Sequence, residues 1–156
     1  MQGRNGPWSH MRFPNGSDYS NAIDFTLPLG TEVLAVRGGR VRGLIVSSDV
    51  YYEGDDPEGG LGLPPGSTNM IVIGHDDGTT AVYMHLAKDG VTVRQGDIVK
   101  KGIAIARTGL SGWVGSEPHL HFQVNRDRVP LPVQFEGYRG PLEHYELYPS
   151  TGIERK

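Results

Sequence analysis

Short apolar runs and alternating apolar and polar positions divide the chain into segments of strand length. No segment carries the 3.6-residue period of an amphipathic helix, and clusters of Gly, Pro, Asn and Asp separate the runs. The pattern therefore predicts an all-β fold, a sandwich of two antiparallel sheets with long loops. The predicted strand segments are AIDFTL (22–27), EVLAV (32–36), RVRGLIVS (40–47), TNMIVIGH (68–75), TTAVYMHL (79–86), the β-rich stretch 91–108 and HLHFQVN (119–125).

The remaining segments of the chain lack the two-residue period of a strand and are predicted to be loops or terminal segments. Residues 48–67 and the glycine-rich stretch 109–118 are predicted to be loops, and a loop as long as 48–67 in a small domain is often functional or disordered. Residues 1–19 are predicted to be an irregular N-terminal segment, and residues 130–156 a Pro-rich tail packed on the core. A single domain over residues 20–129 accounts for the remainder.

Composition narrows the classes of function. The 156 residues suffice for one domain with its own core. The 15 basic and 18 acidic residues give a net charge of −3, which offers no basic surface for nucleic acid. Cysteine is absent, which excludes disulfides and thiolate metal ligands. No apolar run approaches the roughly 18 residues of a transmembrane helix. The start, MQGRNGPWSHM, lacks the apolar core of a signal peptide, so both a cytoplasmic protein and a missing export signal remain open.

The segment PHLHFQV carries two histidines on one side of a predicted strand. Successive side chains of a strand point to opposite faces, so His119 and His121 share one face. Leu120, Phe122 and Val124 share the other, which predicts a core face.

Two further segments add polar chemistry to predicted strands. Alternation places Tyr83 and His85 on one face of segment 79–86, and we expect the opposite face to be the core face. Asp24 is a carboxylate inside an apolar strand, where burial requires a cation, a hydrogen-bond set or a metal as partner. The residues predicted to face the core in segment 79–86 are Val82, Met84 and Leu86.

One aspartate and several histidines on neighbouring strands suit Zn²⁺. This ion binds carboxylate oxygen and imidazole nitrogen, and a catalytic site keeps one position open for water. Taken singly, each residue has an ordinary structural interpretation, because a His-x-His pair can be solvated or hydrogen-bonded without metal. His75 beside a predicted turn is expected to be structural, and His144 in the tail is expected to lie at the surface.

Four blocks of the sequence resemble the lysostaphin-type, or LytM-type, zinc metallopeptidases. The blocks are AIDFTLPLGTEVLAVRGGRV, YMHL, VRQGDIVKKGIAIARTG and PHLHF, within about residues 20–125. The resemblance implies a β sandwich of the duplicated-hybrid-motif type. It also implies an endopeptidase that cuts peptide cross-links in bacterial peptidoglycan and acts outside the cytoplasm. We expect a monomer.

The resemblance also implies roles for individual residues. Asp24 and His121 correspond to a carboxylate and a histidine ligand of zinc. His85 and His119 correspond to the pair that positions and deprotonates the attacking water and stabilises the oxyanion. Tyr83 is expected to help hold the tetrahedral intermediate, since it is predicted to share the face of His85.

One ligand of the family pattern is replaced. The usual first ligand is a histidine four residues before the aspartate, and this chain has Ser20 at that position. Some relatives supply the ligand from a Ser-His segment further upstream. WSHM (8–11) precedes Tyr19 here, so His10 is the candidate third ligand. Two alternatives remain: His10 is an ordinary polar residue of the N-terminal segment, or the domain has lost zinc.

The substitution at Ser20 keeps a second function open, a catalytically inactive module that binds peptidoglycan or regulates another cell-wall hydrolase. A third interpretation comes from the V-x-x-G-D-x-V-x-x-G block at residues 93–102, which also occurs in lipoyl-type and phosphohistidine carrier domains. Asp24 argues against a phosphohistidine, because a carboxylate would repel the phosphoryl group.

Overall fold

A computed structural model describes residues 16–52, 63–115 and 117–136. Within these ranges the chain forms strands, turns and bends, and none of it forms a helix that could span a membrane. The strands are β1 (Ile23–Thr26), β2 (Glu32–Leu34), β3 (Gly39–Ile45), β4 (Tyr51–Tyr52), β5 (Met70–Gly74), β6 (Thr79–Met84), β7 (Ile98–Val99), β8 (Ala104–Arg107), β9 (Gly112–Trp113), β10 (His119–Arg126) and β11 (Val129–Leu131).

The strands form one large sheet and two small ones. The large sheet has the order β1-β10-β6-β5-β3-β7 and is antiparallel throughout, with β11 paired to β10. A second antiparallel sheet joins β2 and β8. The hairpin of β5 and β6 turns through Asp76–Gly78, where Gly78 has a φ of 81° that glycine adopts at little cost. The predicted all-β antiparallel fold is confirmed.

The core lies on the face of β10 that carries Leu120 and Phe122, as the alternation predicts. On β6 the core face is formed by Ala81 and Tyr83, because β10 pairs with β6 so that Phe122 lies opposite Tyr83. Val82 and Met84 lie on the opposite face, outside this core cluster, so the predicted core face of β6 is wrong, although Val82 itself is buried. Leu86, which follows the strand, is fully buried in the core as predicted.

The two segments predicted to be loops pair with each other. β4 lies in the segment 48–67 and β9 in the segment 109–118, and they form a parallel pair in which Tyr51 lies opposite Gly112 and Tyr52 opposite Trp113. Two-residue strands are too short to leave a period in the sequence, so this pairing could not be predicted. It attaches the long segment to the residues that precede β10.

The start of the predicted tail also belongs to the sheet. β11 follows β10 through a hairpin whose two central residues, Asp127 and Arg128, have positive φ values of 50° and 66°. Beyond it, Phe135 packs edge-on against Phe25 at a ring-centroid distance of 5.7 Å. His144 and the rest of the tail from residue 137 lie outside the described residues, so the proposed division of the chain stays a prediction.

Candidate active site

The pairing of β1 with β10 brings Asp24 opposite His121 and Thr26 opposite His119. Directly opposed residues share a face, and residues two apart on one strand share it too. Asp24 Oδ1 is therefore 3.1 Å from His121 Nδ1, and Asp24 Oδ2 is 3.7 Å from His119 Nε2. This geometry places one carboxylate between two imidazoles, on the face of β10 opposite to the core.

His85 reaches the same place by leaving the strand. Strict alternation from Tyr83 would put its side chain on the core face. However, its φ of 63° is left-handed, which breaks the alternation. The imidazole instead lies 4.7 Å from that of His119 and 6.0 Å from that of His121, measured between ring centroids. A left-handed non-glycine residue costs about 1–2 kcal/mol, and such strain is concentrated at functional sites.

Each of the three imidazoles uses one ring nitrogen for a hydrogen bond to a protein oxygen. Such a bond fixes the tautomer and the ring orientation, so the second nitrogen points toward the other members of the cluster. The bonds are His85 Nδ1 to the Ser111 carbonyl (2.8 Å), His119 Nδ1 to the Glu117 carbonyl (2.9 Å) and His121 Nε2 to Gln123 Oε1 (3.3 Å). Because a backbone carbonyl oxygen only accepts, the bonded Nδ1 atoms of His85 and His119 carry the proton. His121 lies between two acceptors, Gln123 Oε1 and Asp24 Oδ1.

The cluster is largely removed from water. Asp24 and His121 are each 4% exposed and His85 is 8% exposed. Burial lowers the pKa of His85 to about 3, since it penalises the imidazolium, and the neighbouring His119 and His121 lower it further. His85 is therefore neutral at physiological pH and has an unprotonated Nε2.

Tyr83 does not join this cluster. Its side chain is 1% exposed, and its ring packs against Phe122 at a centroid distance of 5.2 Å. Its hydroxyl accepts a hydrogen bond from the backbone N–H of Val36 at 3.0 Å, and burial raises its pKa to about 12. The expectation that Tyr83 shares the face of His85 is wrong, because the left-handed His85 breaks the alternation on which it rested. His75 is structural as expected, since its Nδ1 lies 2.8 Å from the Gly38 carbonyl.

The described residues bring together two side chains that could serve as metal ligands. Asp24 and His121 supply a carboxylate and an imidazole in contact, a donor pair that suits Zn²⁺. No group of three or more His, Cys, Asp or Glu side chains in residues 16–52, 63–115 and 117–136 is arranged to hold a metal ion. His10 lies outside those ranges. Ser20 is exposed and donates its backbone N–H to Asp18, while the neighbouring Tyr19 ring packs edge-on against His121 at 5.1 Å.

Sequence reasoning missed the side chains and carbonyls that hold the histidines. Gln123 follows His121 by two residues and so shares its face, a signal that alternation could have provided. Gln123 in turn donates to Asn125 Oδ1 at 2.9 Å, which extends the hydrogen bonds along β10. Ser111 and Glu117 contribute backbone carbonyls, and no sequence pattern marks those.

The fold and the cluster define a small all-β domain whose buried carboxylate and imidazoles suit hydrolytic chemistry. The model of peptidase family M23 matches residues 18–132. The peptidoglycan DD-endopeptidase ShyB of Vibrio cholerae is 32% identical over 104 residues, which cover 67% of this chain and 20% of ShyB. This chain belongs to peptidase family M23, which confirms the resemblance and disfavours the carrier-domain interpretation.

Solved structures agree with this family. The catalytic domain of the antimicrobial peptidase lysostaphin from Staphylococcus simulans matches with a TM-score of 0.51 and 30% identity, covering 75% of this chain and 76% of that domain. A zinc-containing peptidase from Vibrio cholerae matches with a TM-score of 0.57 and 29% identity, covering 84% of this chain and 34% of that protein. The chain thus spans about a fifth of ShyB and about a third of the Vibrio zinc-containing peptidase.

Proposed function

We propose that this domain is a zinc-dependent endopeptidase that hydrolyses peptide bonds in bacterial peptidoglycan. The observation that carries the proposal is the convergence of Asp24, His85, His119 and His121, with each imidazole oriented by a hydrogen bond on its far side. Membership of peptidase family M23 supports peptide hydrolysis. The name of ShyB supports peptidoglycan as the substrate and therefore a location outside the cytoplasm.

Asp24 and His121 would hold the zinc ion, with His10 as the proposed third ligand. Their oxygen and nitrogen donors fit zinc, and the Vibrio relative that contains zinc supports the same metal here. When bound, zinc polarises the scissile carbonyl and lowers the pKa of a water molecule. Gln123 Oε1 would accept the Nε2 proton of His121 when Nδ1 binds the metal, which would hold the ring in that orientation.

His119 and His85 would accept the proton of the attacking water. In both residues Nδ1 donates to a carbonyl, so Nε2 carries the lone pair that can accept a proton from the attacking water. Burial holds the pKa of His85 near 3, so this imidazole is neutral before it accepts a proton. A protonated Nε2 can then donate a hydrogen bond to the developing oxyanion or return the proton to the leaving amine.

Metal analysis combined with hydrolysis of purified peptidoglycan tests the proposal. We expect about one zinc per chain, release of new amino groups from the substrate, and loss of both in His121→Ala. His75→Gln is the matched control, because His75 is a buried histidine that contacts Gly38 rather than the cluster. His10→Ala should also lose zinc. A zinc-replete protein that releases no amines, or a His121→Ala variant with unchanged hydrolysis, would refute the proposal.

The replacement at Ser20 favours a second candidate function, an inactive module that binds peptidoglycan or regulates another hydrolase. Ser20 is exposed, and its backbone N–H donates to the Asp18 carboxylate oxygen Oδ1. This alternative predicts binding to sedimented peptidoglycan that survives removal of metal by a chelator. Amine release that the chelator abolishes would exclude it.

A further inference from the structure

A buried polar cluster centred on Asn69 lies next to His85, and Asn69 itself has no role in the chemistry above. Asn69 is fully buried, and its backbone and side-chain amide groups are all hydrogen-bonded. Because every hydrogen-bond donor and acceptor of Asn69 has a partner, the orientation of its side chain is fixed. The bonds join Asn69 N to Ser111 Oγ (2.9 Å), Oδ1 to Ser48 N (2.9 Å), Nδ2 to Ser48 O (2.8 Å) and Leu86 O (3.1 Å), and Asn69 O to Leu86 N (3.3 Å).

One arm of this cluster leads directly to His85. The Ser111 hydroxyl accepts from Asn69 N and donates to the Leu86 carbonyl at 2.9 Å. The carbonyl of the same Ser111 accepts the Nδ1 proton of His85 at 2.8 Å. Leu86 is the residue after His85, so Asn69 and Ser111 hold the histidine at both its backbone and its ring.

A second arm fixes the peptide that contains this carbonyl. Asn69 Oδ1 accepts a hydrogen bond from Ser48 N, and the Ser48 hydroxyl accepts one from Val50 N at 3.2 Å. The Val50 carbonyl accepts from Gly112 N at 2.8 Å, and Gly112 N belongs to the same peptide unit as the Ser111 carbonyl. Gly112 has a φ of 83°, and a Cβ there would collide with Thr68 Oγ1. Two series of hydrogen bonds therefore connect Asn69 to the peptide unit that contains the Ser111 carbonyl.

We propose that Asn69, acting through Ser111, is a positioning residue that sets the orientation and tautomer of His85. The proposal rests on the peptidase function and deepens it. An imidazole ring that donates from Nδ1 has an unprotonated Nε2, and the His85 ring lies 4.7 Å from that of His119 between centroids. The hydrogen bonds described above hold the Ser111 carbonyl where it can accept the Nδ1 proton. The strained backbone of His85 makes this support necessary, because a left-handed residue relaxes unless its surroundings hold it.

Two variants separate positioning from general stability. Asn69→Asp keeps the shape, removes the two N–H donors and places a carboxylate against the carbonyls of Ser48 and Leu86. Ser111→Ala removes only the hydroxyl and adds no charge. With peptidoglycan as substrate, we expect kcat to fall about 10- to 100-fold in each, with KM changed less than about threefold. Ser67→Ala is the matched control, because the Ser67 hydroxyl donates to the Pro64 carbonyl. Its removal keeps the Ser67 backbone carbonyl that accepts from the Ser48 hydroxyl.

The ring nitrogens of His85 give a readout that needs no substrate. In protein labelled with ¹⁵N-histidine, the His85 signals are assigned by their loss in His85→Gln. We expect the wild-type chain and Ser67→Ala to show the Nδ1–H tautomer, and Asn69→Asp and Ser111→Ala to show a mixture of tautomers. If the wild type hydrolyses nothing, the peptidase function fails while this measurement still decides the positioning role.

Three outcomes would overturn the positioning role. The first is that folded Asn69→Asp and Ser111→Ala retain a pure Nδ1–H tautomer. The second is that Ser67→Ala loses the tautomer to the same extent. The third is that neither Asn69→Asp nor Ser111→Ala folds, which would make Asn69 and Ser111 stability residues only.

Discussion

Replacing Tyr83 with phenylalanine distinguishes a core residue from a catalytic one. The hydroxyl of Tyr83 accepts a hydrogen bond from Val36 N, and the ring packs against Phe122 in the core. Tyr83→Phe keeps the ring contact and removes only the acceptor. The N–H of the half-buried Val36 would lose its partner, which costs about 1–2 kcal/mol in the free energy of unfolding.

Two measurements on the same variant give the answer. A loss of 1–2 kcal/mol lowers Tm by roughly 2–8 °C in a chain of this size, which a thermal unfolding scan detects. The kcat for peptidoglycan hydrolysis should change by less than about twofold, because the hydroxyl lies in the core and not at the histidines. Tyr52→Phe is the matched control, since the Tyr52 side chain is 42% exposed and its replacement should leave Tm unchanged. A Tyr83→Phe variant with wild-type Tm and a kcat reduced tenfold would refute this placement.

Three further predictions concern pH and a turn. Burial raises the pKa of Tyr83 from 10.0 to about 12. Between pH 10 and 12 the free energy of unfolding of the wild type should therefore fall relative to that of Tyr83→Phe, by on the order of 2–3 kcal/mol measured by chemical denaturation. Hydrogen bonds from Thr79 and then Arg37 hold the pKa of Asp77 far below 3.8. Above pH 4 the wild type should have a larger free energy of unfolding than Asp77→Asn, and this difference should shrink as the pH falls. An undiminished difference at pH 2 would contradict this prediction. Arg128→Gly should raise the free energy of unfolding by about 0.5–1 kcal/mol, because glycine relieves a left-handed residue at a modest entropic cost; a lower Tm would contradict it.

Alternation was enough to predict the half of the site that lies on regular strands. Asp24, His119 and His121 sit within β1 and β10, where the two-residue period determines the face and antiparallel pairing determines the neighbours. Alternation also marked His85 as a candidate and the family resemblance gave it a role, but a strand period could not place its side chain correctly. The carbonyls of Ser111 and Glu117 were also unpredictable, because every residue has a carbonyl and only the folded chain decides which one is used.

The wrong face assigned to Tyr83 and the unusual backbone of His85 have one physical cause. Packing against Phe122 requires Tyr83 in the core, and a regular continuation of β6 would have buried His85 on the same side. Because the backbone at His85 is left-handed, the side chains of Tyr83 and His85 lie on opposite faces although the residues are two positions apart. Tyr83 packs in the core, and His85 joins the imidazole cluster. Its cost of about 1–2 kcal/mol is offset by bonds that regular strands would not make, from His85 Nδ1 to the Ser111 carbonyl and from Gly109 N to the His85 carbonyl. The alternation rule therefore fails at the end of β6, at the residue that brings an imidazole to the proposed site.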